Sequence, residues 1–568
     1  MKRQTNSSQQ VSAWRLNLVR GAFILIVVGL GWRLADIEVL NSSFLRYQGD
    51  ARHIRKVPIV AHRGMIMDRY GEPLAISTPV HSVWVNPQDI DPNTPGLDKL
   101  ADLLDLSPKS IRDKIKANQD REFIYLKRRI QPQLANKVKS LNINGVELQR
   151  EYKRYYPTAE VASHVVGFTN VDDVGQEGLE LAYNSILTGV PGLKRMLRDS
   201  HGNYVGGGEL IRAAKPGQNI KLSLDLRLQF LTYQALKEAY IKDQARSATA
   251  VILDVHTGEV LAMVNQPAYN PNNREGLHLR DFRNRAVTDL FEPGSTMKPF
   301  TMSSALKSGK YTPASIVDTS PGLIRVSGHT IRDFRDYGKI DLGTIIEKSS
   351  NVGASKIALS LDPDKMWHDF ASFGFGEATG AYFPGEAIGH LPDPETWHTL
   401  DRASLSFGYG LATTALQLAR AYTVIANGGI MRPVTFIKQD KPPRGRRIYS
   451  SDIMREVRTM MEKVVSPAGT AKEAMINNYL VAGKTGTVKK AIAGGYSDKH
   501  YMGLFAGIIP ASNPQLVMVV VINDPQGGEY YGGLVAAPVF QKVMTGAMRL
   551  LNIPPDDLPV TQLRVANK

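Results

Sequence analysis

The sequence predicts an α/β (α+β) protein: a mainly antiparallel sheet flanked by helices carries an all-helical subdomain, preceded by an elongated mixed pedestal and one N-terminal transmembrane helix. Three observations predict it. The apolar segments 479–482, 502–509 and 516–522 read as neighbouring strands, residues 343–358 repeat apolar side chains with a helical period, and one hydrophobic stretch occupies residues 16–40. The chain of 568 residues has room for about two to three domains with sizeable cores.

The hydrophobic stretch has an uncharged centre at residues 21–32, short for a span by itself. Arg20 and Arg33 extend it by snorkelling, and Trp14 and Trp32 would stand roughly 27 Å apart along a helix, as an aromatic pair at two interfaces does. No small-x-small cleavage site follows, so the segment reads as an uncleaved signal anchor. Lys2, Arg3, Arg15 and Arg20 precede it, which predicts a cytoplasmic tail at 1–17, the anchor at 18–40 and the remainder outside. Residues 45–230, a charged mosaic of short strand-like and helical stretches, read as a non-catalytic pedestal. Residues 231–553 read as the catalytic domain, and 554–568, opening on Pro554-Pro555, as a flexible tail. Within the catalytic domain, 221–245 predicts a strand leading into a long helix. Residues 249–264 alternate about His256-Thr257-Gly258 as a hairpin, with His256 at the turn surface, and Asn427-Gly428-Gly429 closes a helix.

The formal charge of +15 is spread over the chain, and its densest clusters, Lys127-Arg128-Arg129 and Arg444-Gly445-Arg446-Arg447, are short. That argues against nucleic acid and suits an anionic polymer or membrane headgroups. The chain has no cysteine, compatible with an oxidising exported compartment, and its 12 histidines show no metal-binding spacing, so neither metal nor cofactor is expected.

Chemistry concentrates in three short motifs. Ser295-Thr296-Met297-Lys298 follows the turn pair Pro293-Gly294, which puts Ser295 at a helix N-terminus where backbone amides are free to meet an anion. Ser304-Ala305-Leu306-Lys307 has the same spacing, but lies further into the helix, where those amides are used. Ser349-Ser350-Asn351 falls in the helical pattern of 343–358, and Lys484-Thr485-Gly486-Thr487 follows an apolar strand. The intervals between them predict an all-helical insert between the first two motifs, then more helix before the return to sheet. Serine and lysine at i and i+3 share a helix face, and burial beside a second cation would make that lysine a base. Lys484 is the natural second cation.

These motifs in this order resemble those of the penicilloyl serine transferases. The chain as a whole resembles the class B penicillin-binding proteins, and among them the division-specific branch of Gram-negative bacteria. Further landmarks are Arg63-Gly64-Met65-Ile66-Met67-Asp68-Arg69-Tyr70-Gly71, Glu177-Gly178-Leu179-Glu180 with Gly189 and Gly192, Pro216-Gly217-Gln218-Asn219-Ile220 through Gln229, Asn284-Arg285-Ala286, and Ser406-Phe407-Gly408-Tyr409-Gly410-Leu411. They span nearly the whole chain.

The resemblance implies a penicillin-binding/β-lactamase-like fold and a peptidoglycan D,D-transpeptidase of septal cell-wall synthesis, inhibited by β-lactams. It implies that Ser295 is the nucleophile, Lys298 its base, Ser349 a proton relay, Asn351 an orienting amide and Lys484 the second cation. Thr485, Gly486 and Thr487 would bind the substrate, with Ser295 and Thr487 amides forming an oxyanion hole. Tyr409 and Tyr531, with Tyr501 and Tyr530, are candidates to wall the cleft. Implied partners are peptidoglycan stem peptides, β-lactams, a septal SEDS-family glycan polymerase and other divisome membrane proteins, with the protein in the inner membrane and its catalytic domain in the periplasm.

Overall fold

Unbroken apolar and β-branched residues make Leu516–Asn523 a central strand, buried from Leu516 through Ile522 because both of its faces are covered. The computed structural model, which describes residues 13–45, 47, 54–198, 204–492 and 494–558, places it in a five-stranded sheet. The order is Val260–Gln266, Ser247–Asp254, Leu516–Asn523, Gly495–Ile509, Ala482–Ile492, and every neighbouring pair is antiparallel, as expected. The first hairpin turns where Asp254 Oδ1 accepts from the amides of His256 and Thr257, both at 2.8 Å. The strand that carries Lys484 is the sheet's edge.

Helix Leu226–Lys242, capped by Asp225, packs with helix Ala537–Leu550 against the sheet, where Phe540 meets Phe505 edge-on at 5.0 Å. Helix Ala415–Ala426, started by a Thr414/Gln417 capping box, also packs on the strands. In the helical region Lys298–Lys307 is central. Its Phe300 ring lies 4.7 Å from Phe373, 5.1 Å from Phe375 and 5.3 Å from Tyr422, all in edge contacts.

The insert between the first two motifs is not all helical. It contains the two-stranded pairs Ile316–Asp318 with Lys339–Asp341 and Leu323–Val326 with His329–Arg332. The second is a hairpin whose Ser327-Gly328 turn has positive φ at both residues, 49° and 81°, the backbone hand that joins twisted strands. The helical pattern of 343–358 is likewise cut into Leu342–Glu347 and Asn351–Ser360 by Ser349, at φ 60°.

Two compact units are each assembled from several stretches of chain. One compact unit comprises 62–78, 152–189 and 216 onward. Within it Ile66, Leu74, Tyr156, Val165 and Leu179 join the core of the sheet and its helices. Buried Glu180 binds Arg63 Nη2 at 2.7 Å and Arg154 Nε at 2.6 Å, so one carboxylate ties together segments distant in sequence. The other unit comprises residues up to 61, 79–151 and 190–215. Its core gathers Val83, Leu100, Leu104, Ile111, Ile115 and Leu126, and it holds a three-stranded antiparallel sheet in the order Ile54–Ile59, Gly192–Arg198, Tyr204–Arg212.

At the N-terminus a helix spans Ala13–Ala35 with no buried residue, followed by a π-turn at Asp36–Leu40. Among the described residues no helix is long and apolar enough to cross a membrane. The expected interval 18–40 includes Arg20, Arg33, Asp36 and Glu38, with Arg33 paired to Asp36 at 2.7 Å. Residues 1–12 of the expected cytoplasmic tail, and 559–568 of the expected C-terminal tail, lie outside the described residues. The start of that C-terminal tail is docked rather than loose: Asp556 accepts from Leu480 N at 2.8 Å and from Ser512 Oγ at 2.6 Å.

Replacing Glu180 with Ala leaves two guanidinium groups in a buried site without their counter-charge. The variant is expected to lose about 3–5 kcal/mol of unfolding free energy in urea titration.

Candidate active site

Two glycines set the turn that carries Ser295. Gly294 has φ +55°, and a Cβ there would stand 2.4 Å from Val488 Cγ2; Gly408 has φ +86°, and a Cβ there would stand 2.1 Å from Gly294 O. Their backbones therefore touch, Gly294 N donating to Gly408 O at 3.0 Å. Ser295 sits in the short 3-10 turn Gly294–Met297 that feeds helix Lys298–Lys307, at the helix entrance as expected. In the rival Ser304/Lys307 pair, Ser304 is buried within the helix, while Lys307 is occupied by Asp369 at 2.6 Å and lies over the Tyr449 ring.

Lys298 is fully buried and its amine is the hub of the site. Nζ lies 3.0 Å from Ser295 Oγ, 3.0 Å from Ser349 Oγ, 2.7 Å from Asn351 Oδ1 and 2.5 Å from Ser349 O. Lys484 reaches the same Ser349 Oγ from the edge strand, also at 3.0 Å, and donates to Thr485 O at 3.1 Å. The five residues expected to be catalytic thus converge on one pocket.

Ser349 arrives there through its left-handed backbone. Ser350 behind it caps helix Asn351–Ser360 by accepting from Gly353 N at 2.8 Å. Asp333, which sequence reasoning missed, accepts from Asn351 N at 2.5 Å, Val352 N at 3.0 Å and Ser350 Oγ at 2.5 Å. Its only signal was the alternation of 323–332 about Ser327-Gly328, a hairpin that delivers Asp333 to the motif.

Burial pushes the Lys298 amine well below the ordinary lysine range. The neighbouring Lys484 charge pushes it further, and Asp333 partly opposes them. Burial alone lowers Lys484 to about 7.

On the edge strand Thr485 Oγ1 lies 3.0 Å from Thr470 Oγ1, and Thr487 Oγ1 accepts from Gly532 N at 3.1 Å. Gly486 makes room for the Ser295 turn rather than for open cleft. A Cβ there would stand 3.2 Å from Pro293 O, 3.2 Å from Thr296 Cγ2 and 3.3 Å from Leu504 Cβ. Tyr409 accepts from Lys489 N at 3.3 Å and meets Tyr496 edge-on at 5.2 Å. Tyr531, next to Gly532, stacks on Tyr530 at 4.5 Å, which stacks on Tyr501 at 4.2 Å. These tyrosines flank the edge strand and touch none of the five converging side chains directly.

A family model for the penicillin binding protein transpeptidase domain matches residues 248–545, and one for the penicillin-binding protein dimerisation domain matches residues 58–222. The chain is a class B penicillin-binding protein. It is 41% identical over 551 residues to the probable peptidoglycan D,D-transpeptidase PbpC of Pseudomonas aeruginosa, covering 97% of this chain and 98% of that one. It is also 41% identical over 565 residues to the peptidoglycan D,D-transpeptidase FtsI of Escherichia coli K12, covering 98% and 95%. Among solved structures, the transpeptidase domain of Burkholderia pseudomallei penicillin-binding protein 3 aligns at TM-score 0.55 and 42% identity over 60% of this chain and 98% of that domain. A peptidoglycan synthetase of Bifidobacterium adolescentis aligns at TM-score 0.71 and 26% identity over 89% of this chain and 98% of that one.

In this penicillin-binding protein the Lys484 value in the folded state, about 7, lies below the ordinary 10.5. The folded state therefore binds fewer protons than the unfolded chain between these values, and stability rises with pH across that window. Lys484→Met removes the Lys484 share of the dependence and leaves that of Lys298. It is expected to be more stable than the parent at pH 7, on the order of 2–4 kcal/mol, with the gap closing toward pH 10 in urea unfolding at several pH values. Parallel pH profiles would contradict burial as the cause.

Proposed function

We infer that this chain is a serine-type peptidoglycan D,D-transpeptidase that crosslinks stem peptides through a Ser295 acyl-enzyme during septal cell-wall synthesis and is inhibited by β-lactams. The observation that carries the reading is the buried Lys298 amine, 3.0 Å from Ser295 Oγ and 3.0 Å from Ser349 Oγ. A neutral amine there takes the hydroxyl proton as Oγ bonds to the carbonyl carbon of the penultimate D-alanine. Ser349, between the two amines, passes a proton to the departing nitrogen of the terminal D-alanine, and the C–N bond breaks. An amine of a neighbouring stem then attacks the ester, releasing Ser295 and forming the crosslink. A β-lactam enters by the same route, but its ring-opened leaving group stays attached.

Asn351 orients Lys298 and the substrate amide. Thr485 and Thr487, with Lys484 behind them, bind the terminal carboxylate, and the amides of Ser295 and Thr487 receive the oxyanion. Gly486 lets the strand and the nucleophile's turn approach, and Tyr409 and Tyr531 bound the cleft on either side. Residues 45–230 serve as pedestal and 231–553 as the transpeptidase domain.

Residues 18–40 are the signal anchor in this reading, supported by exposed apolar side chains of the helix Ala13–Ala35, among them Phe23, Ile24, Leu25 and Leu30. Arg15 and Arg20 mark its cytoplasmic end, which puts the enzyme in the inner membrane with its catalytic domain in the periplasm. There it works beside a septal SEDS-family glycan polymerase and other divisome membrane proteins.

Ser295→Ala is expected to lose fluorescent penicillin labelling completely; labelling that persists would overturn the nucleophile assignment. Supplied with donor stem and acceptor amine, the parent should yield crosslinked muropeptides, and hydrolysed tetrapeptide alone would indicate a carboxypeptidase. Depletion in the native host should give filaments, whereas round cells would place the enzyme in elongation.

A further inference from the structure

We propose that Asp333, outside the three motifs, is a positioning residue of this active site. Its carboxylate holds the Ser349-Ser350-Asn351 turn in its left-handed form and lends negative charge to the pocket of Lys298. The proposal rests on the reading of Ser295 as nucleophile and Lys298 as base.

The geometry is specific. Asp333 ends the 323–332 hairpin, where its own amide donates to Gly322 O at 2.9 Å. One carboxylate oxygen takes the two leading amides of helix Asn351–Ser360, and the other takes the Ser350 hydroxyl. Asn351 returns a bond to the hairpin, Nδ2 to Arg332 O at 3.2 Å. On the far side of the turn Lys348 Nζ donates to Ala468 O at 2.9 Å. Ser349 is therefore held from both sides at φ 60°, which a serine keeps only when its surroundings impose it. In that conformation its hydroxyl and carbonyl both face Lys298.

The charge acts in the same place. Burial and Lys484 disfavour the Lys298 ammonium, and Asp333 favours it. Of the other titratable groups near this helix, Tyr422 donates to Thr296 O and is held protonated by burial. Lys307, Asp369 and Tyr449 gather at the helix's opposite end. Lys348 pairs with Glu347. Asp333 is thus the acidic group that sets a limit on how far the base is depressed.

The test is the rate of penicillin acylation of the full-length protein from about pH 5 to pH 9, for parent, Asp333→Asn, Asp333→Ala and Ser295→Ala. Asp333→Asn retains a hydrogen-bonding side chain and removes the charge, so the acidic limb is expected to move to lower pH by roughly half to one unit. Asp333→Ala also removes the cap, and acylation is expected to slow by about tenfold or more at every pH. Should Asp333→Ala fail to give a cooperative melt, the pH profile of Asp333→Asn decides alone. An unmoved limb in Asp333→Asn, or an Asp333→Ala rate within about twofold of the parent, overturns the proposal. Acylation of Ser295→Ala would instead overturn the underlying reading, whatever the Asp333 variants do.

Discussion

The Ser349 hydroxyl stands between two buried lysine amines, and the site depends on that crowding. Both amines forfeit hydration in a dry pocket, and Lys298 is further pressed toward its neutral form by the Lys484 charge. Hydroxyl and carbonyl oxygens satisfy their hydrogen bonds without making salt bridges of them. A residue ordinarily protonated at neutral pH is thereby driven toward its free amine, and the fold carries the electrostatic strain.

That arrangement needs three backbones brought to one point. The 3-10 turn supplies Ser295 and Lys298, the broken helix supplies Ser349 and Asn351, and the edge strand supplies Lys484. Contact between Gly294 and Gly408, and the bare face of Gly486, let these elements approach closer than side chains would permit. Among the described residues the edge strand has a partner strand on one side only.

Much of this was legible in the sequence. Long apolar runs such as 516–522 announce buried strands, and three ordered motifs fix which of two Ser-x-x-Lys pairs is the site. Convergence of Ser295, Lys298, Ser349, Asn351 and Lys484 follows from them. What escaped was local. Ser349 interrupts a pattern that apolar periodicity makes look continuous, because a single left-handed residue changes no periodicity. Asp333 escaped because its role is created by a hairpin too short to compete with the surrounding helical signal. The contact made at Gly486 also escaped: strand alternation points its missing side chain at the Ser295 turn. Glu180 and its two arginines were likewise hidden, because they join segments that sequence order separates.

The docking of Asp556 changes how the end of the chain is to be handled. That carboxylate fastens the last described residues to Leu480 and Ser512, at the root of the strand bearing Lys484. Trimming the protein back to its final helix would therefore unfasten the catalytic strand at its base. A truncated version made for crystallisation or inhibitor screening should retain Asp556, with any purification tag appended after it.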